Sequence, residues 1–246
     1  MFPAIKANAA FSETDISLVR ASILFQGLPQ AALFEAGIRA PENQLRLPPG
    51  AVFLNAGARA PGLHVVAHGT IELVAQTAEG SEKIVEFSRT GGLLAEETLF
   101  NGEALRYSAR TITAAAVLRI PEEMLTDWLT VSPAFRQRLM GLLAERTDYI
   151  EKDLVTYCTK NATARLVCYL VCNFNRAPCT PDGTLSLTVS LPRNKLASRL
   201  GVSDSHLSRA FKELEGAELI VCSRNGIFIP NVQALSRYVC PAGCDW

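Results

Sequence analysis

The sequence predicts an α+β protein with an N-terminal antiparallel β-roll of the jelly-roll type, a long helix and a C-terminal winged helix-turn-helix. Three patterns predict this order. Short apolar runs cut by glycines fill about residues 44–120, a helical period follows to Tyr157, and two short helices with a tight turn occupy Pro192–Gly216. We place the domain boundaries at 1–130 for the roll, 131–160 for the long helix and hinge, and 161–246 for the winged helix-turn-helix.

The β-roll is predicted from short strands with a turn signal about every ten residues. Two helices precede it: one over 12–25 with Ser12 and Asp15 at capping-box spacing, and one over 30–37 that ends at Gly37. A helical turn, Leu94–Phe100, interrupts the strands. The strands are expected at Leu45–Leu47, Val52–Leu54, Leu63–Ala67, Ile71–Ala75, Lys83–Phe87, Thr111–Thr113 and Val117–Ile120.

The long helix is predicted to begin at Ser132-Pro133, because proline favours the first helical position, and to run to about Tyr157. Its apolar residues recur every three or four positions and form one seam. Such a seam needs a partner, and a second copy across a two-fold axis is the simplest one, with packing on the chain's own roll as the alternative. The expected dimer interface comprises Leu139, Leu143, Arg146, Ile150, Leu154 and Tyr157.

The helix-turn-helix is predicted from the spacing of three residues. Ala197, Gly201 and Leu207 supply the small residue, the turn residue and the aliphatic anchor that two crossing helices require. Ser203 is placed to cap the second helix. A hairpin should follow, because Asn225-Gly226 joins two apolar runs, and it makes the domain a winged helix-turn-helix.

The second helix and its surroundings carry side chains that can bond a base edge or a phosphate. Such chemistry is that of a DNA-binding surface. The expected DNA-binding residues are Arg193, Ser203, Asp204, Ser205, His206, Ser208, Arg209, Lys212 and, at the tip of the hairpin, Arg224.

The 246 residues carry no net charge, but the charge is unevenly distributed. Residues 1–157 hold 14 Lys/Arg and 18 Asp/Glu, whereas residues 158–246 hold 10 and 6, a net charge of +4 that suits phosphate. No apolar run approaches the length of a membrane helix, and the N-terminus lacks a secretion signal. The seven cysteines, an odd number, suit reduced thiols. We therefore expect a cytoplasmic protein with no membrane partner.

The order of roll, long helix and winged helix-turn-helix resembles the Crp/Fnr family of bacterial transcription regulators over nearly the whole chain. The resemblance is carried by Val52–Gly57, Gly69–Glu72, Leu94–Phe100 with Ser108-Ala109, and Leu200–Arg209. It implies a cyclic-nucleotide-binding-like roll that senses a signal and long helices that relay it. It implies a homodimer that binds a palindromic double-stranded DNA operator and RNA polymerase, and no enzymatic activity.

By this resemblance, Ser208 and Arg209 match the family's recognition-helix positions, and Arg209 is the expected bidentate reader of guanine. Many members have a glutamate that accepts from cytosine where this chain has Ser205, so the half-site sequence does not transfer. Base reading is assigned to Arg209, Ser208, Ser205 and Asp204, and phosphate positioning to Ser203, Lys212, Arg193 and Arg224. His206 either contacts a phosphate or is partly buried.

Members that bind cyclic nucleotides carry a Gly-Glu pair and an Arg-Ser pair that hold ribose and phosphate. Here the first pair is Ala95-Glu96, and Tyr107 stands where the phosphate-clamping arginine would be. Arg106 is adjacent but points to the other face of the strand. A cyclic phosphate would thus lose a charge-assisted pair, so we expect a signal other than cyclic AMP, of unknown identity. The expected effector pocket comprises Glu96, Glu97, Tyr107, Ser108 and Arg146.

Other functions stay open. A redox or iron–sulfur sensor would use the late cysteines Cys222, Cys240 and Cys244, because residues 1–157 contain none. Haem ligation by His64 or His68 has no partner motif to support it. A roll-type metalloenzyme with an accessory winged helix would need several converging His and carboxylate ligands, and the chain has three His. A constitutive regulator whose roll is only a scaffold is a further possibility. We expect no catalytic residue and no metal ligand.

Overall fold

The structure is a computed structural model that describes residues 10–28, 31–174, 185–187, 192–223 and 226–239. The chain divides into two compact units, Met1–Thr147 and Asp148–Trp246. This boundary falls inside the long helix, so the segment 131–160, expected as a separate part, is shared between the two units.

Unit 1 contains a β-roll made of two four-stranded antiparallel sheets, with the strand orders β1-β8-β3-β6 and β2-β7-β4-β5. The strands are β1 Gln44–Leu47, β2 Val52–Leu54, β3 Gly62–His68, β4 Ile71–Gln76, β5 Glu82–Ser88, β6 Leu93–Leu94, β7 Ser108–Thr111 and β8 Ala115–Pro121. The predicted strands are confirmed with two differences. The strand expected at Thr111–Thr113 lies earlier, at Ser108–Thr111, and Leu93–Leu94 adds a short one.

Helices flank the strands of unit 1: α1 Glu13–Ala21, α2 Ala31–Arg39, α3 Glu96–Phe100 and α4 Glu122–Val131. The capping box at α1 is confirmed, with Ser12 and Asp15 bonded to each other's backbone N–H. The prediction that α2 ends at Gly37 is wrong. A Cβ at Gly37 would lie 2.5 Å from Met124 Sδ and 2.6 Å from Trp128 Cζ2, so this glycine permits close packing of α2 on α4.

The long helix α5 spans Pro133–Thr159, close to its predicted bounds. The Ser132 hydroxyl accepts from the backbone N–H of Phe135 at 3.2 Å and so caps it. The Phe135 ring lies in an aromatic cluster of unit 1, with ring centroids 5.2 Å from Phe34, 5.6 Å from Trp128 and 5.9 Å from Phe25. The first turns of α5 therefore belong to the core of the roll unit.

The predicted dimer interface needs correction at its N-terminal end. Leu139 is 1% exposed within its own chain and packs in the same core as Phe135, and Leu143 packs against that core. A side chain already buried cannot face a second copy, so Leu139 is removed from the interface. Its neighbour Met140 is exposed instead, because one residue along a helix turns the side chain by about 100°.

Buried histidine His64 lies on β3, where burial lowers its pKa to about 4. Its Nδ1 has no hydrogen-bond partner among the described residues. The His64 imidazole binds a proton near pH 6.5 in the unfolded chain but only near pH 4 in the folded chain. The contribution of His64 to stability is therefore complete above pH 6.5 and is lost as the pH falls from 6.5 to 4.

We expect this histidine to remove about 3 kcal/mol from the free energy of unfolding between pH 7 and pH 4. Urea unfolding of wild type and His64→Leu at several pH values measures it as the difference between the two pH profiles. Met140→Leu, which replaces an exposed side chain that does not titrate, serves as the control and should leave the profile unchanged. Parallel profiles for wild type and His64→Leu would contradict the prediction.

Unit 2 holds the C-terminal turns of α5 and the winged helix-turn-helix. Its further elements are α6 Ala162–Phe174, β9 Leu185–Leu187, α7 Arg193–Leu200, α8 Asp204–Gly216, β10 Val221–Ser223, β11 Gly226–Ile229 and α9 Val232–Val239. The strands form one antiparallel sheet in the order β10-β11-β9. The predicted helix pair and hairpin are confirmed. The apolar run 185–191 is described only as far as Leu187, and α9 was not predicted.

Candidate nucleic-acid interface and effector site

The turn between α7 and α8 has the geometry that its sequence requires. Gly201 has a φ of +63°, a backbone conformation that favours glycine. Val202 N–H donates to the Ala197 carbonyl at 3.1 Å, which closes the last turn of α7. The Ser203 hydroxyl accepts from the backbone N–H of His206 at 3.3 Å and so caps α8 as predicted.

Helix α8 buries one face and exposes a polar one. Leu207, Ala210, Phe211 and Leu214 are buried. The opposite face is where the predicted DNA-binding residues lie: Asp204, Ser205, His206, Arg209 and Lys212 are exposed, and Ser208 is half-buried. A helix with such a face can enter a major groove while its apolar face stays in the domain.

The remaining predicted DNA-binding residues differ in their surroundings. The exposed Arg193 guanidinium lies over the ring of Phe211 on α8, 4.6 Å from its centroid. This cation–π contact positions the Arg193 side chain next to α8. His206 is exposed, which excludes the partly buried alternative, and its ring Nδ1 lies 2.8 Å from the Ser203 hydroxyl at the helix start. Arg224, predicted at the wing tip, lies outside the described residues.

Two glutamates that the sequence analysis did not single out hold α8 in place. Glu213 accepts from the Thr163 hydroxyl at 2.7 Å and from the Tyr238 hydroxyl at 3.0 Å, which joins α8 to α6 and α9. Glu215 accepts from the backbone N–H of Cys222 at 3.2 Å. Burial, together with Glu215, raises the pKa of the Cys222 thiol to about 11, so this thiol is protonated at neutral pH. Cys240 and Cys244 lie outside the described residues.

A buried arginine on α7 is a further residue that sequence reasoning missed. Arg199 is 2% exposed, and within the described residues its hydrogen-bond and ion-pair partners are side chains of α5: Asp153 Oδ2 at 3.0 Å, the Tyr149 hydroxyl at 3.0 Å and the Tyr157 hydroxyl at 3.2 Å. Burial opposes its charge, but these partners outweigh burial and raise the pKa of Arg199. The local signal is the spacing of three residues between Leu196 and position 199, which places Arg199 beside the inward face but does not identify its partners.

Tyr157 was predicted in the dimer interface, yet its ring is engaged within its own unit. The Arg165 guanidinium lies 5.0 Å from the ring centroid, and Arg165 Nη2 donates to the Tyr157 carbonyl at 2.7 Å. A Cβ at Gly201 would lie 2.8 Å from Tyr157 Cε1. The glycine of the helix-turn-helix therefore serves both the turn and the close approach of α5.

The predicted effector residues come together in unit 1, but they bond one another. Arg146 Nε lies 2.7 Å from Glu96 Oε1, and Arg146 also bonds Glu86 at 3.1 Å and the Leu93 carbonyl at 2.9 Å. Arg146 thus points into its own roll, which corrects its place in the predicted dimer interface. Burial raises the pKa of Glu96 although Arg146 opposes this, and Glu96 Oε2 has no hydrogen-bond partner among the described residues.

Tyr107 fills the position expected for a phosphate-binding arginine. Its ring is buried, and its hydroxyl accepts from the backbone N–H of Ala95 at 3.1 Å. Ala95 has a φ of +69°, in the left-handed region that a glycine adopts more readily. Arg106 is exposed and pairs with Glu103 at 2.9 Å, which confirms that it faces away from Tyr107.

The other two predicted effector residues are less buried. The Ser108 hydroxyl accepts from the Ala56 backbone N–H at 3.0 Å, and Glu97 is half-buried. Within the described part of the chain, no three His, Cys, Asp or Glu side chains are grouped to hold a metal ion. No helix there has both the length and the apolar character needed to cross a membrane.

A β-roll followed by a long helix and a winged helix-turn-helix with an exposed polar recognition helix is the architecture of a DNA-binding protein with an N-terminal β-roll domain. Residues 44–130 match the cyclic nucleotide-binding domain, and residues 163–238 match the Crp-like helix-turn-helix domain. The chain is a DNA-binding transcription regulator and belongs to the Crp/Fnr family.

Known proteins agree with this assignment. The fumarate and nitrate reduction regulatory protein of Shigella dysenteriae is 24% identical over 199 residues, 80% of this chain and 78% of that protein. The CRP-like cAMP-activated global transcriptional regulator of Mycobacterium tuberculosis is 21% identical over 223 residues, 91% of this chain and 98% of that protein. FixK2 of Bradyrhizobium japonicum has the same fold, with a TM-score of 0.68 and 18% identity over 78% of this chain and 94% of its own.

Proposed function

We propose that this regulator is a cytoplasmic homodimer that recognises a palindromic operator sequence and responds to a signal other than cyclic AMP. Two copies would present their α8 helices to successive major grooves, as the two-fold symmetry of such dimers requires. Contact with RNA polymerase is part of the proposal, because the family resemblance implies it. The observation that carries the proposal is the exposed polar face of α8 opposite its buried apolar face.

The exposed side chains of α8 and its surroundings fall into two groups, those suited to contact base edges and those suited to contact phosphates. Arg209 carries a planar fork of donors that matches the acceptor pair on guanine, and Ser208, Ser205 and Asp204 lie on the same helix. Lys212, Ser203 and Arg193 suit phosphate contacts, as does Arg224 by its sequence position. Glu213 and Glu215 support α8 from behind, so the reading residues project from a fixed element.

Two exposed apolar side chains on α5 support the homodimer. Ile150 is 50% exposed and Leu154 is 61% exposed, one helical turn apart. Exposed apolar residues at this spacing are typical of a helix that pairs with a second helix. We propose that Ile150 and Leu154, rather than Leu139 and Arg146, form the centre of the dimer seam.

The roll site supports a signal that is not a cyclic nucleotide. The Ala95 backbone N–H is occupied by the Tyr107 hydroxyl, and the Glu96 carboxylate is occupied by Arg146. A cyclic phosphate would have to displace both contacts and would gain no bidentate arginine in exchange. We propose that cyclic AMP therefore does not bind one conformation of this regulator more tightly than the other, and so does not switch it.

The function is tested by selecting bound duplexes from a random pool with the purified full-length protein, with and without air and with and without cyclic AMP. The expected result is one palindromic sequence whose affinity is unchanged by cyclic AMP. Failure to enrich any duplex would overturn the proposed function, and a non-palindromic site would overturn the dimeric mode. A cyclic AMP effect on affinity would overturn the proposed signal, and an effect of air would favour the redox alternative.

Arg209→Ala should weaken binding to the selected operator by about 1–3 kcal/mol and relax specificity at one base pair of each half-site. The physical reason is the loss of a bidentate pair to one base. Fluorescence anisotropy with the operator and with single-base variants measures both effects. Lys212→Ala is the matched control: it should weaken binding to all duplexes alike and lower the salt slope by about one. Equal losses on operator and random DNA for Arg209→Ala would contradict the assigned role.

A further inference from the structure

Arg199 is the most deeply buried charge among the described residues of unit 2. It lies on α7, the first helix of the helix-turn-helix, and the three side chains that bond it among the described residues lie on α5. We call Arg199, Tyr149, Asp153 and Tyr157 the Arg199 cluster. The function described above uses none of these four side chains, so their purpose has to be found in the geometry itself.

A buried arginine is a poor choice if only stability is at stake. Removing its charge from water costs several kcal/mol, and an apolar side chain of similar volume often stabilises a buried site equally well. The neighbouring inward positions of α7 are Leu196, Ala197 and Leu200, so apolar packing is already the rule on this face. What arginine adds is a fixed relative position of two helices, because the donors of its planar fork find all their acceptors in one arrangement only.

The partners of Arg199 are distributed so that they fix that arrangement. Tyr149, Asp153 and Tyr157 follow one another at four-residue spacing and therefore form a line of two helical turns along α5. Sliding or turning α7 along this line would leave a buried charge or a buried phenol without its partner, at a large cost.

A second arginine strengthens the same junction. Arg165 on α6 donates to the Tyr157 carbonyl at 2.7 Å, to the Lys160 carbonyl at 3.0 Å and to the Leu200 carbonyl at 3.2 Å. One side chain thus joins the end of α5, the connection to α6 and the last residue of α7. The end of α5 and the helix-turn-helix are therefore held together by the directional bonds of two arginines, Arg165 and Arg199.

We propose that Arg199 is a positioning residue for operator binding, which fixes the recognition helix relative to the C-terminal turns of α5 and thereby sets the spacing of the two half-sites. The inference rests on the proposed homodimer, whose seam is Ile150 and Leu154. These residues lie on the same two turns of α5 that Arg199 holds. In a two-fold dimer, any change of angle between α5 and α7 is applied at both recognition helices at once.

The expected consequence is a loss of spacing discrimination. With the Arg199 cluster intact, the two α8 helices reach half-sites at one separation, and one added base pair turns a half-site by about 35° and shifts it by about 3.4 Å. Without the cluster, α8 samples several positions, so the cognate duplex binds more weakly because only a fraction of molecules is competent. The affinity for duplexes with altered spacing then falls much less than the affinity for the cognate duplex.

The experiment uses the full-length protein and three duplexes: the selected operator, and the same half-sites with one base pair inserted or removed at the centre. The main variant is the double substitution Arg199→Met with Asp153→Leu, because removing both charges avoids an unpaired buried one. Arg199→Lys is the second variant, since an ammonium can pair with Asp153 but cannot reproduce the fork to two phenols. Arg237→Met, which removes an exposed cation from the same unit, is the matched control.

We expect the ratio of affinities for cognate and altered spacing to fall about tenfold in the double variant, to fall partly in Arg199→Lys, and to stay unchanged in Arg237→Met. A purely structural role would lower the melting temperature without moving this ratio. If the double variant does not fold, Arg199→Lys supplies the ratio. This inference alone would be overturned if the wild-type protein discriminates strictly between spacings and its folded variants keep the same ratio of affinities for cognate and altered spacing. A wild-type protein that binds no duplex would overturn the proposed function and the inference with it.

Discussion

Leu154→Glu should turn the protein into a monomer and remove high-affinity operator binding. Leu154 is exposed within the chain, so a glutamate there costs the fold little. In the proposed dimer, the two-fold axis brings this carboxylate into an apolar seam next to its own copy, without a cation. An unpaired charge buried in this way costs about 3–5 kcal/mol, which raises the dimer dissociation constant at least about 100-fold.

Operator affinity should fall with the dimer, by about two to four orders of magnitude, because the second half-site is then no longer held at high effective concentration. Sedimentation velocity measures the association state, and anisotropy with the selected operator measures the affinity. Val85→Glu is the matched control, since it places the same charge on an exposed apolar residue of β5. A Leu154→Glu variant that sediments as a dimer and binds the operator normally would show that α5 does not form the seam at this residue.

Phe135→Ala should cost the largest share of stability of any single substitution discussed here, about 3–5 kcal/mol. The ring is fully buried and contacts three other aromatic rings, stacked on Phe34 and edge-on to Trp128. Its removal leaves a cavity that rigid neighbouring rings cannot fill. The same residue anchors the start of α5, so the loss should also loosen this end of the helix.

Urea unfolding followed by tryptophan fluorescence is a direct measurement, because Trp128 lies in the cluster itself. Phe100→Ala, a change of the same chemistry at a half-exposed position on α3, should cost well under half as much. A loss below about 1 kcal/mol for Phe135→Ala would mean that the cluster repacks and does not determine the stability of unit 1.

Several features were predictable because local chemistry alone decides them. The cap at Ser203 and the turn at Gly201 depend on neighbours within a few residues, so the helix-turn-helix was predicted correctly. The opposite orientations of Arg106 and Tyr107 were also predicted correctly, although β7 begins only at Ser108, so this pair lies in the bend before the strand. The short helix after Ala95 could be predicted from local chemistry, because turn signals on both sides interrupt the strands.

Other features depend on contacts between residues far apart in the chain. The role of Gly37 became visible only against Met124 and Trp128, more than 80 residues later. Helix α9 was not predicted although its sequence, VQALSRYV, is amphipathic; its inner face is marked by the buried Leu235. Likewise, the period of α5 predicted a helix with an apolar stripe, but a stripe this broad does not tell which edge meets the roll.

The sequence by itself determined the order of elements and the recognition helix with its exposed polar face, because periodicity, caps and turn residues are local properties. The family resemblance added that Tyr107 stands where a phosphate-binding arginine would be. Only the tertiary structure decided that Leu139 and Arg146 turn inward, that Tyr107 bonds the Ala95 amide, and that Arg199 is bound to α5. The physical reason is that burial and pairing of a side chain depend on which distant surface packs against it, and no local pattern carries that information.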